Sequence, residues 1–203
     1  MKKFISLLLC GVLSAGILTG CGKADTKPTT APATEASTEA PTEETKTTAS
    51  YESAQALLES VHAAMKEEFP AAGGDEAHAA EEVGSFDISA YGDSFRAQIL
   101  VDDSLVAQVK PEAATLLHMM NTNTFCAAAM QLTDAANAER FAEDYKTLVQ
   151  SHHWMCGFPD TVVVLSLGDY ILTAYGHDDL IQDFKTAAQG LGADLLVEAP
   201  AEA

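Results

Sequence analysis

The first 50 residues constrain this chain most, because they divide into a short apolar run and a low-complexity segment that cannot join a folded core. Residues 4–18 are an uncharged apolar run that follows Lys2 and Lys3, and residues 22–50 consist mainly of Thr, Ala, Glu, Pro and Lys. A segment of the second kind cannot bury enough surface to offset the entropy lost on ordering. About 150 residues remain for folding, which suits one hydrophobic core rather than two.

The N-terminal segment is typical of an exported bacterial lipoprotein. Its basic start and apolar run match a signal peptide, and the run is shorter than the roughly 20 apolar residues of a membrane span. Residues 18–21 read Leu-Thr-Gly-Cys. This resembles the lipobox, in which the cysteine takes a diacylglyceryl group and becomes the new N-terminus. We therefore expect a signal peptide over 1–20 and a lipid anchor on Cys21, at the extracytoplasmic face of the cell membrane. The alternative is an uncleaved anchor that carries a cysteine by chance.

Composition and charge limit the possible partners. Residues 21–50 are predicted to be a disordered tether with a root-mean-square reach of about 30 Å, followed by a single domain over 51–199. The formal net charge is −19, and loss of the leader, with its two lysines and no acid, leaves −21. Such a chain is repelled by nucleic acid and by bare anionic headgroups, so no nucleic-acid partner is expected.

Apolar spacing divides the domain into helices and strands. Residues 95–101 fit a strand or a helix, and 113–120 favour a strand. Asp102 starts a turn or cap, Thr133 or Asp134 can cap a helix, and Gly168-Asp169 suits a type II′ hairpin turn. The other predicted elements are a helix over 53–69, a strand over 125–132, a helix over 135–150, hairpin strands over 162–167 and 170–175, a helix that begins near 177 and stops at Gly190, and a short edge strand over 195–197.

This order of elements predicts the α+β class. Hairpins mixed with helices indicate a small, mostly antiparallel sheet. We expect the helices to pack on one face of the sheet, with the other face solvated or used for contact. The last five residues, 199–203, are expected to fray.

The C-terminal region resembles a clostridial-type lipoprotein family whose domain is catalogued as a domain of unknown function, number 4358. The resemblance lies in Leu117-His118-Met119-Met120-Asn121, the helix at 133–145 and the hairpin with its following helix at 162–187, and covers roughly 95–190. It implies a lipobox, a tether and one α+β domain, but no activity and no functional residues. The chain departs from the family at 152–156, where a polar loop is expected.

Residues 152–156, His-His-Trp-Met-Cys, are the main candidate for chemistry. Imidazole, thioether and thiolate groups bind zinc or copper, so His152, His153 and Cys156 are candidate metal ligands, which His118, Met119, Met120 or Cys126 could supplement. Adjacent side chains of an extended loop point apart, however. The alternative is a helix C-terminus with histidines in its last turn and with Trp154, Met155 and Cys156 turned into the core.

The cysteines allow two further hypotheses. Cys126 and Cys156 could form a disulfide, which export permits, or remain two buried thiols. Cys156 with His153, or Cys126 with His118, could form a nucleophile pair, although no protease signature flanks them.

No cofactor is predicted, and the sequence favours a binding module over an enzyme. Phe158, Tyr170 and Tyr175 could form a contact surface on the exposed sheet face or could simply pack in the core. The leading hypothesis is therefore a membrane-anchored, non-enzymatic lipoprotein domain that binds an unknown protein or small ligand. The alternative is a metal-binding or thiol redox module at 152–156.

Overall fold

The computed structural model describes residues 50–75, 79–90, 99–120, 123–155 and 157–202. The predicted leader, the lipid site at Cys21, nearly all of the tether, most of 95–101 and Cys156 lie outside these residues. All described residues fall within one compact unit. No helix among them has both the length and the apolar character needed to cross a membrane.

Four α-helices and seven strands make up the described part of the chain. The helices are α1 (Ala54–Ala64), α2 (Asp103–Val106), α3 (Ala138–Ser151) and α4 (Asp178–Gly190). The strands are β1 (Ala71–Ala72), β2 (Gly84–Asp87), β3 (Val109–His118), β4 (Cys126–Leu132), β5 (Thr161–Leu167), β6 (Tyr170–Gly176) and β7 (Asp194–Pro200).

The strands form a single antiparallel sheet, which confirms the predicted α+β class. Its order is β1–β3–β4–β6–β5–β7, with β2 pairing on β3 beside β1. The hairpin between β5 and β6 has the predicted turn. Gly168 has φ 63, whereas Leu100 alone among the described non-glycine residues has a positive φ, so Asp169 has the negative φ that a type II′ turn requires.

Helices cover both faces of the sheet, where the sequence analysis expected them on one. On one face α1 and α4 pack through residues such as Leu58 and Phe184, and on the other α3 packs through Phe141 and Tyr145. The physical reason lies in the strands, since β6 is buried at every position. A strand whose side chains are apolar on both alternations must be covered on both faces.

The first helix is shorter than predicted because tertiary contacts replace its last turn. We expected a helix as far as residue 69, but α1 ends at Ala64 and Met65 is extended. The carboxylate of Asp183 accepts the backbone N–H groups of Lys66 and Glu67, at 2.7 and 2.8 Å. These donors therefore bond to α4 instead of to the carbonyls one turn earlier in α1.

The C-terminal segment is also more ordered than predicted. The expected edge strand extends over Asp194–Pro200 and pairs with β5. Beyond it, the backbone N–H of Ala201 donates to the carbonyl oxygen of Asp160 at 2.9 Å, and Ala201 is fully buried. The prediction that the last residues fray is therefore wrong at Ala201, because this residue is hydrogen-bonded and buried directly after β7.

Candidate functional site

The sheet has two ends of different character. At the hairpin end, the Gly168-Asp169 turn joins β5 to β6, and the chain enters the domain here, since the Tyr170 hydroxyl donates to the Tyr51 carbonyl at 3.2 Å. At the opposite end, β3 stops at His118 and β6 stops at Gly176, while β4 and β5 begin. We call this second end the loop end, because it carries the segments that connect β3 to β4, α3 to β5 and β6 to α4.

Residues 152–155 lie at the loop end, directly after α3. His152 is the C-cap of the helix, and both His152 and His153 are exposed. Trp154 is half-buried, with its ring centroid 4.5 Å from that of His152 and 5.2 Å from that of Tyr175. Met155 is 84% exposed, so the expectation that it turns into the core was wrong. The histidines were expected in the last turn of the helix, but α3 ends at Ser151 with no basic residue in its last turn, so that part of the prediction was also wrong. The expectation that Trp154 turns toward the core is correct, since it packs partly buried against it.

The metal hypothesis gains no further ligands from the described residues. Among them, no group of three or more His, Cys, Asp or Glu side chains is arranged to hold a metal ion. The proposed supplementary donor His118 is engaged elsewhere, because its ring stacks on Phe69 at 5.6 Å and its Nδ1 accepts the Met120 N–H at 3.0 Å. Cys156 lies outside the described residues, so a metal site that includes it stays a prediction.

Cys126 is buried in a way that opposes thiolate chemistry. Burial raises the pKa of its thiol to about 12, against a partial lowering by a hydrogen bond with Tyr175. Burial also raises the pKa of Tyr145 and of Tyr175. A thiol of this kind is not ionised near neutral pH, so it is a poor nucleophile. Its predicted pairing with Cys156 is not tested by the described residues.

A small open pocket lies beside the end of α3. Its volume is about 290 Å³, at the lower limit of ordinary ligand pockets. Asp102 faces it but also caps α2, and the Ser104 hydroxyl that bonds this carboxylate lowers its pKa. The lining residues are Leu100, Val101, Asp102, Leu148, Ser151, His152 and His153. The Asp102 carboxylate therefore serves mainly as the cap of α2. The exposed imidazoles of His152 and His153 are the lining groups that remain for contact with a ligand.

Exposed apolar side chains concentrate at the loop end. Met119 is 64% exposed, Met120 53%, Met155 84% and Phe158 54%. Leu195, the remaining large apolar side chain that is exposed in the described part of the chain, belongs to β7 near the hairpin end and is 38% exposed. We call Met119, Met120, Met155 and Phe158 the loop-end patch.

The loop-end patch replaces the contact surface that the sequence suggested. Tyr170 and Tyr175 are each only 5% exposed, so the core-packing alternative is correct for both. Phe158 alone of the three aromatics is exposed. The sequence contained a signal for the rest of the patch, since Met119-Met120 and Met155-Cys156-Gly157-Phe158 are apolar residues in short connecting segments, but only the fold brings the two segments to one end.

The chain was compared with protein-family models, with curated proteins and with solved structures, and no match was found in any of the three. The resemblance to the clostridial-type family therefore stays a prediction.

Proposed function

We propose that this chain is a lipoprotein anchored outside the cell through lipid on Cys21, and that its domain is a non-enzymatic module that binds a protein partner through the loop-end patch. The lipobox, the low-complexity tether and the single α+β domain support this arrangement. The patch supports a role in binding, because apolar side chains grouped at one end of a small domain are typical of contact surfaces.

The main support for the proposal is that the chain enters the domain at one end of the sheet, whereas the patch lies at the other. The tether joins the domain at the hairpin end, near Tyr51, whose carbonyl accepts from Tyr170. The patch lies at the opposite end, about 20 Å away along the seven residues of β6. A partner can therefore approach the patch without competing with the tether for space.

Methionine content also favours binding over packing. Three of the four patch side chains are methionines. Unbranched, polarisable thioethers adapt their shape to a partner, and such residues are common on surfaces that bind several related sequences. A metal or thiol redox role at 152–156 is the alternative, and the exposed imidazoles of His152 and His153 are the feature that favours it.

Mass spectrometry and crosslinking in intact cells test the two parts of the proposal. The mature protein should begin at Cys21 and carry a diacylglyceryl group. A photo-crosslinking amino acid at Phe158 should capture a protein partner repeatedly, whereas the same group at Leu195 should not. An unmodified Cys21 thiol would refute the anchor, and equal or absent capture at both positions would refute the binding end.

Elemental analysis separates the alternative function. The purified chain should contain no stoichiometric zinc or copper if the module binds through its patch. Bound metal that disappears in both His152→Ala and His153→Ala would favour the alternative.

A further inference from the structure

The two loops that carry the patch are joined to each other. The Thr124 hydroxyl donates to the carbonyl oxygen of Gly157. Thr124 belongs to the connection that also carries Met119 and Met120, and Gly157 lies between Met155 and Phe158. This hydrogen bond links the two connections that carry the four exposed side chains.

Hydrogen bonds hold the main chain at Met119 and Met120. The Met119 N–H donates to the Pro70 carbonyl at 2.8 Å, and the Met120 N–H donates to His118 Nδ1 at 3.0 Å. Phe125, at the end of the same connection, is buried and packs edge-on against Phe69 with centroids 5.4 Å apart. A fixed backbone with flexible side chains lowers the ordering cost of binding while it preserves adaptability.

Acidic side chains outnumber basic ones at the loop end. The exposed acids at this end come from the turn after α1, from the start of β5 and from the first turn of α4, and they are Glu67, Glu68, Asp160, Asp178 and Asp179. The turn after α1 also carries the exposed Lys66, whereas the three connecting segments 118–126, 152–160 and 176–184 contain no Lys or Arg. In a chain of net charge −19, the field at this end favours a cationic partner and opposes an anionic lipid surface.

The fold keeps these acids available. Asp160 Oδ2 lies 3.0 Å from His177 Nδ1 and accepts the Asp178 N–H at 3.3 Å, and Asp178 accepts the Thr161 hydroxyl at 2.7 Å. A carboxylate has two oxygens with about four acceptor positions, so one or two such bonds leave capacity for a lysine or arginine from a partner. Asp178 and Asp179 also lie in the first turn of α4.

From these observations we infer that the loop end recognises a cationic amphipathic segment of a protein, with its apolar side chains on the patch and its Lys or Arg side chains on the exposed acids of this end. The inference rests on the proposed function and specifies the chemistry of the partner. Apolar contact supplies affinity, and charge supplies orientation and selection against acidic or neutral sequences.

A synthetic amphipathic helical peptide of leucine and lysine is the probe. Binding to the mature full-length chain is measured by fluorescence anisotropy of a labelled peptide. Two control peptides keep the same pattern, one with glutamate in place of lysine and one with serine in place of leucine. The leucine–lysine peptide should bind at least about tenfold more tightly than either control, and its affinity should fall as salt screens the charges.

Matched variants locate the site. Met155→Ser with Phe158→Ser should weaken binding about tenfold or more, as expected when central apolar anchors are removed. Leu195→Ser, an equivalent change at the hairpin end, should leave affinity unchanged. Asp160→Asn with Asp179→Asn should weaken binding and reduce its salt dependence. Equal unfolding midpoints in urea ensure that each variant is folded.

Several results would overturn the inference. Equal affinity for the glutamate peptide, or an equal loss in Leu195→Ser, would do so. Tight binding to neutral phosphatidylcholine vesicles that Met155→Ser with Phe158→Ser abolishes would assign the patch to lipid instead. If the peptide does not bind but Phe158 crosslinks a protein in cells, the proposed function stands and the cationic partner does not. If neither occurs, both fall.

Discussion

At the hairpin end of the sheet, Gly168 and Asp169 join β5 to β6 in two residues, and the turn is tied to β4 because the Leu132 N–H donates to the Asp169 carbonyl at 2.7 Å. At the loop end, longer connections join β3 to β4 and α3 to β5, and they carry four exposed apolar side chains. At the hairpin end, the backbone of the turn is hydrogen-bonded to the neighbouring strand, and little apolar surface is exposed. The loop end is held by contacts between distant segments, and it leaves apolar surface uncovered.

This difference distinguishes side chains that stabilise the domain from side chains that are exposed for contact with a partner. At the loop end, Phe125 is 2% exposed, whereas Met155 is 84% exposed. The same end therefore contains side chains that hold the fold and side chains that are available to a partner.

Phe125→Ala should destabilise the protein by about 3–5 kcal/mol, because it leaves a cavity in a packed core. The ring contacts Phe69 and Phe184 with centroids 5.4 and 6.0 Å away. Met155→Ala, in the same end of the molecule, should change the free energy of unfolding by less than about 0.5 kcal/mol. Urea denaturation measures both, and similar losses in the two variants would contradict this distinction.

Alkaline pH should destabilise the fold through three buried groups, which are Cys126 on β4, Tyr175 on β6 and Tyr145 on α3. The folded pKa of Cys126, about 12, lies above its ordinary value of 9.0, so the folded state holds the proton longer than the unfolded state. The stability from this group is full below about pH 9 and is lost as the pH rises toward about 12, by up to about 1.4 kcal/mol per pH unit. Tyr145 and Tyr175, whose pKa values are also raised, act in the same direction.

Urea midpoints at about pH 8 and about pH 10 measure this dependence. Cys126→Ala should flatten the decline, and the remaining slope should reflect the two tyrosines. A decline of the same steepness in Cys126→Ala would show that the thiol contributes nothing to it.

The glycines at the two ends should respond differently to substitution. Gly168 has φ 63, so Gly168→Ala should cost about 1–2 kcal/mol, and Gly168→Asn less, because asparagine tolerates that region. Gly176 is instead limited by space, since an added Cβ would lie 2.8 Å from the Phe125 Cα. Gly176→Ala and Gly176→Asn should therefore both destabilise, without rescue by asparagine.

Thermal and urea unfolding of the four glycine variants make this comparison. Gly190→Ala is the control, because nothing lies within 4 Å of its added Cβ, and it should be neutral or slightly stabilising. Rescue by asparagine at Gly176 would contradict the steric explanation.

Asp183→Asn should have the smallest effect, about 1 kcal/mol, because it weakens two charge-assisted hydrogen bonds in a half-exposed position. Its carboxylate accepts the Lys66 and Glu67 N–H groups, so hydrogen exchange should accelerate at those two amides. Asp179→Asn, which loses only a bond to the next residue, Leu180, should leave that exchange unchanged. Unaltered exchange in Asp183→Asn would exclude a role of this carboxylate at the loop end.

Sequence reasoning predicted the local elements of the second half well. Two apolar runs around Gly168-Asp169 predicted the hairpin, and helical spacing predicted α3 and α4, because these signals depend on residues close in the chain. Asp102 was correctly expected as a turn or cap, since it caps α2. Asp134 accepts a backbone N–H as expected, but it caps a 3-10 turn, Ala135–Asn137, that precedes α3. The end of α1 could not be predicted, since its N–H acceptor Asp183 lies more than 100 residues away.

The sequence by itself determined the α+β class, the antiparallel hairpin, the acidic charge and the expectation of a lipid anchor at Cys21. Tertiary structure alone decided that helices cover both faces of the sheet and that Tyr170 and Tyr175 are buried. It also placed Met119 and Met120 at the same end as Met155 and Phe158. The physical reason is that periodicity records which side chains are apolar, whereas exposure depends on which distant elements cover them.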